Sequence, residues 1–115
     1  MASADDPGVL GGINRVIHDP SRLAICTALA HCESADFVFL RKVIGLTSGN
    51  LSFHLSRLEE AGLITLRRHL VGRATRTDVS LTPDGREQVA RHWDALERMR
   101  TSSFDQPESS PRRPD

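Results

Sequence analysis

The sequence is short of nearly everything that would mark a catalyst, a secreted protein or a membrane protein. It has two cysteines, Cys26 and Cys32, from which no disulfide framework can be built. No apolar run is long enough to span a bilayer, and Asp5 and Asp6 stand where a secretory leader carries Lys or Arg. A reducing, cytoplasmic setting without membrane association is therefore expected. There is no nucleophile elbow, phosphate loop or H-E-x-x-H helix, and Glu59 and Glu60 are adjacent rather than facing, so neither an enzyme nor a cofactor is expected. His31 and Cys32 point about 100° apart on a helix and Cys26 lies nearly two turns away. With no other Cys or His cluster to complete a tetrahedral site, no metal centre is expected and the cysteines read as core residues.

Net charge is also missing, since 15 basic residues balance 15 acidic ones. The distribution matters more than the sum. Between Phe37 and Arg76 seven positive residues, Arg41, Lys42, Arg57, Arg67, Arg68, Arg73 and Arg76, meet only Glu59 and Glu60, a local net of +5. A basic segment inside a neutral chain suits a phosphate partner. At 115 residues, 38% apolar and 26% charged, the chain suits one soluble domain.

Its order can be followed through caps and breakers. Residues 1–10 are small, acidic and broken by Pro7 and Gly8, so a disordered start is expected, followed by one domain over 11–100 and a disordered, Pro- and Ser-rich tail over 101–115. Ile13, Val16 and Ile17 fit a short helix that halts before Pro20. Asp19 and Pro20 start a second, largely buried helix. Asp36 and Phe37 suit a very short strand, and Phe37, Leu40, Val43 and Ile44 a third helix ended by Gly45. Thr47 then caps a fourth helix, 47–61, with Leu51, Leu55 and Leu58 on one face and Gly62 at its end.

That fourth helix has only a narrow apolar stripe. Its opposite face, Gly49, Ser52, Phe53, Ser56, Arg57 and Glu60, with Ser48 and Asn50 at the rim, is small and polar in its first turns. Residues 63–66 and 77–81 alternate as strands around a basic hairpin. Thr82, Pro83 and Asp84 begin a last helix whose stripe, Val89, Trp93, Leu96 and Met99, is more than a small domain can cover. Part of it is expected to meet another chain. No internal repeat is present.

Taken together, IHDPSRLAI, FVFLRKVIGLTSGNLSFHLSRLEEAGLI and TDVSLTPDGR resemble the winged-helix transcriptional regulators of the MarR/ArsR type, in their small single-domain form. The resemblance covers about residues 13–99. It implies an α+β, mainly α fold: four helices, a β-hairpin wing and a C-terminal helix. It also implies a homodimeric, sequence-specific DNA-binding regulator, with helix 47–61 in the major groove and wing 67–76 on the backbone or minor groove of double-stranded DNA.

Carried over by position, Thr47, Ser48, Asn50, Ser52, Phe53 and Arg57 match the recognition-helix contacts, and Arg73 and Arg76 match the wing. Arg67 and Arg68 join the wing set on charge, against a merely solvated hairpin. Asn50 and Ser52 either read bases or form a solvated first turn. Phe53 either touches DNA or packs on a neighbouring helix, and His54 reads as a partly buried packing residue with one ring nitrogen bonded. Two alternatives stay open: a winged-helix protein-interaction module without DNA readout, and an ArsR-like metal- or thiol-responsive repressor. The helix before the turn reads FVFLRKV, without that branch's Cys-x-Cys site. Operator, regulated genes, activation or repression and any small-molecule effector lie outside the sequence.

Overall fold

Local cap chemistry sets most of the helix boundaries. In the computed structural model, which describes residues 8–104, Asp19 is the N-cap of helix α1 (Pro20–Ala30) and its carboxylate accepts from the backbone of Ser21 and Arg22. The Arg22 N–H, first among these influences, holds the Asp19 carboxyl below the usual carboxylate range. Strand β1 (Ala35–Asp36) follows, and Asp36 in turn caps α2 (Phe37–Ile44) through Val38 and Phe39 N–H groups. Gly45, at φ +85°, ends α2 in the left-handed conformation that glycine adopts without strain.

Helix α3 (Ser48–Glu60) starts at Thr47 and closes through Gly62 at φ +77°. Strands β2 (Ile64–Val71) and β3 (Ala74–Leu81) form an antiparallel hairpin, with β1 added on the free side of β3 to give the order β1-β3-β2. Helix α4 (Pro83–Thr101) closes the described chain. Among the described residues no helix is long and apolar enough to cross a membrane.

The core gathers Ile25, Cys26 and Leu29 of α1, Leu40 of α2, Leu51, Leu55 and Leu58 of α3, Ile64, Val79 and Leu81 of the sheet and Val89 of α4. All three leucines of the expected α3 stripe are thus inside. One joint ties α3 to α4. The Thr82 hydroxyl donates to Gly62 O at 2.8 Å and accepts from Gly85 N at 2.9 Å, while Thr82 N donates to Leu63 O at 2.9 Å.

Four expectations are corrected. Among the described residues four α-helices are present rather than five, because residues 13–17 form turns instead of a helix. Asn14 Oδ1 accepts from Val16 N and Ile17 N, and the arm is tied to α4 by Asn14 N donating to His92 Nδ1 at 3.0 Å and Arg98 to Gly11 O at 3.1 Å. The short strand falls on Ala35–Asp36, since Asp36 caps α2 and Phe37 is already helical. The wing strands run on through the expected loop to the pair Val71↔Ala74, with only Gly72 and Arg73 between them. Gly72 at φ +63° permits that tight turn. Lastly, Val89 is buried in the chain's own core and is not available to a second chain. The expectations for residues 1–7 and 105–115 lie outside the described residues.

Candidate nucleic-acid interface

The hydroxyl of Thr47 accepts from Asn50 N at 3.1 Å and so fixes the first turn of α3. Burial of Leu51, Leu55 and Leu58 turns the rest of the helix outward: Thr47, Ser48, Gly49, Asn50, Ser52, Phe53, Ser56 and Arg57 are all exposed. No carboxylate interrupts this face before Glu59. A Cβ built on Gly49 would meet nothing within 4 Å, so the helix is bare to its backbone there. Phe53 is 55% exposed, with the Arg57 guanidinium 5.4 Å from its ring centroid. Of its two expected placements, Phe53 takes the outward one. His54 turns inward, as expected: its side chain is 15% exposed and Nδ1 accepts from Arg22 at 3.1 Å.

The strand register divides the wing arginines. Arg67 pairs with Asp78 and His69 with Arg76, while Arg68 pairs with Thr77 and Leu66 with Val79. Directly paired residues share a face and neighbours along a strand alternate. Arg68 therefore lies on the Leu66–Val79 side, whereas Arg67 and Arg76 lie on the other. Arg76 Nε stands 3.8 Å from Asp36 Oδ1, and His69 Nε2 stands 3.7 Å from Asp78 Oδ2. Among the described residues Arg57, Arg67, Arg68 and Arg73 are exposed and enter no ion pair. Within α3 and the wing, the charge outside any ion pair is thus on Arg57 and on three of the four wing arginines.

Two further arginines escape a reading by local sequence. Arg15 and Arg22 line an open cleft of roughly 410 Å³ with Val16, Arg57, Glu60 and Ala61. Arg22 is partly engaged, donating to Val16 O and to His54. Only the packing of the arm and α1 against α3 brings these charges beside Arg57, so no motif signals them. Cys26 is fully buried, and burial pushes its thiol up to about 12. That keeps it protonated and unreactive at neutral pH.

Residues 21–99, more than half of the chain, match the family described as a winged helix DNA-binding domain. The chain belongs to this family. A solved transcriptional regulator homologue from Pyrococcus horikoshii OT3 is 31% identical, covers 79% of this chain and 88% of its own, and superposes with a TM-score of 0.72. An uncharacterised protein of Methanocaldococcus jannaschii is 29% identical over 72 residues, 63% of this chain and 78% of its own. The transcriptional repressor CouR, solved bound to a 23-mer DNA duplex, shares the fold at 21% identity and a TM-score of 0.65, covering 77% of this chain and 62% of its own. The exposed face of α3 and the β2–β3 hairpin are accordingly the helix and wing of a winged-helix DNA-binding domain related to transcriptional regulators.

Proposed function

We propose that this winged-helix protein is a sequence-specific transcriptional regulator that binds double-stranded DNA as a homodimer. In this reading α3 enters the major groove and the β2–β3 wing lies on the adjoining backbone and minor groove. The observation that carries it is the exposed, carboxylate-free run of α3 from Thr47 to Arg57 beside a wing with three unpaired arginines. Base edges can approach Gly49, Asn50 and Ser52 closely, and Asn suits a bidentate contact with adenine. Arg57, Arg67, Arg68 and Arg73 set register on phosphate, and Arg76 adds to them once it exchanges Asp36 for the backbone. Trp93, Leu96 and Met99 on α4 supply the dimer contact, which sets the half-site spacing.

The test is fluorescence anisotropy on random-sequence duplex at two salt concentrations, followed by selection of bound DNA from a random library. Binding that weakens steeply with salt, and a selected palindrome, are expected. Undetectable binding at low salt, or binding indifferent to salt, would leave a protein-interaction module as the better reading.

A further inference from the structure

The wing tip has a composition that solvation alone does not account for. Every residue from Leu70 to Arg76 is exposed, and among the described residues Leu70 at 73% is the most exposed large hydrophobic one, with Val71 at 47%. Across the ladder they face Thr75 and Ala74. The tip therefore sets the apolar Leu70 and Val71 and the small Ala74 and Thr75 behind a two-residue turn of Gly72 and Arg73, the stem carries Arg67, Arg68 and Arg76, and the run 67–77 holds no carboxylate.

We propose that the wing tip is a minor-groove wedge, with Leu70 pressed against a base step and the flanking arginines on the two phosphate rims. This rests on the DNA-binding reading above and deepens it. The minor groove is about 6 Å wide, which a two-residue turn with small partners can enter. Its walls are deoxyribose, which suit the exposed Leu70 and Val71, and its edges are phosphate, which suit the arginines around them. Leu70 and Val71 lie on opposite faces of β2, and the more exposed Leu70 shares its face with Arg68, so Leu70 leads. An apolar side chain driven at a step partly unstacks it and bends the duplex. A tip-to-tip contact between two copies of this chain is disfavoured, because it would bring two sets of arginines together.

The experiment uses the full chain and a duplex selected from a random library, labelled at its ends for energy transfer and carrying 2-aminopurine at the wing-contact step. Wild type is expected to raise both energy transfer and 2-aminopurine emission on binding. Leu70→Ser should abolish both signals and weaken binding about tenfold with an unchanged salt slope, because no phosphate contact is lost. Leu70→Met should restore them. Circular dichroism checks that each variant is folded, which the exposed position favours, and Val71→Ser should have the smaller effect. The wedge is overturned if wild type binds without bending, or if Leu70→Ser keeps the bend and the emission whatever its affinity. A wild type that binds no duplex overturns the DNA reading itself, a result distinct from either of these.

Discussion

Two helical glycines sit in opposite circumstances. A Cβ on Gly85 would lie 2.0 Å from the backbone oxygen of Leu63, whereas one on Gly49 would meet nothing within 4 Å. Gly85→Ala must therefore push α4 away from the end of α3, and a net destabilisation of roughly 1–3 kcal/mol is expected from overpacking. A urea midpoint equal to wild type would show that the joint yields. Gly49→Ala should instead stabilise by about 0.5–1 kcal/mol, the usual gain in a helix, yet weaken DNA binding because a methyl now stands on the face proposed to meet DNA. Asn50 and Arg73 make a second pair. Asn50→Ala is expected to relax discrimination by about 1–3 kcal/mol at one base position, while Arg73→Ala weakens all sequences alike and lowers the salt slope by about one. Binding to a panel of single-base operator variants at several salt concentrations separates these outcomes, and identical behaviour of the two variants would refute the division of roles.

The elements are held to one another by few polar joints, and one of them titrates. Asn14 N donates to His92 Nδ1, so neutral His92 carries its proton on Nε2 and donates to His18 Nδ1 at 3.3 Å. Burial first, and the nearby His18 second, lower the readiness of His92 to protonate below the ordinary histidine value of 6.5. The unfolded chain then binds a proton more readily than the folded one. This contribution to stability is complete above pH 6.5 and is lost as pH falls below it. Urea unfolding measured from pH 7.5 to 5 should show that decline, and His92→Gln should flatten it; an unchanged slope in the variant would assign the decline elsewhere. The same joints explain what could be read in advance. The starts of α1, α3 and α4 were legible because Asp19-Pro20, Thr47 and Thr82-Pro83 act through bonds two or three residues away. The 11–18 arm was not, because its apolar spacing is helical while its actual partners, His92 and Arg98, lie about 80 positions along the chain. The outward set on α3 followed from periodicity. The division of Arg67 from Arg68, and the approach of Arg15 and Arg22 to Arg57, depend on strand register and packing that no local pattern encodes.

At the scale of the whole molecule α4 has one inward stripe and one that is only partly covered. Gly85, Val89, His92 and Ala95 are buried, while Trp93 is 43% exposed and Leu96 and Met99 are half-buried. Trp93 is the least suitable of the three for a test, because its indole N–H donates to Thr27 at 3.0 Å and supports the packing of α4 on α1. Leu96→Asp places a charge on the uncovered stripe without removing that bond. If α4 joins two copies, wild type at micromolar concentration should sediment at twice 12.7 kDa and the variant at 12.7 kDa with its helical content intact. Operator binding then measures what the dimer contributes. Two linked half-site contacts bind far more tightly than one because the second is intramolecular, by a factor on the order of 100 or more. Leu96→Asp should therefore bind a full operator little better than wild type binds a single half-site, with recognition of that half-site unchanged. A wild type that sediments as a monomer and binds one half-site as tightly as two would remove the dimer from the mechanism and leave α3 and the wing to act alone.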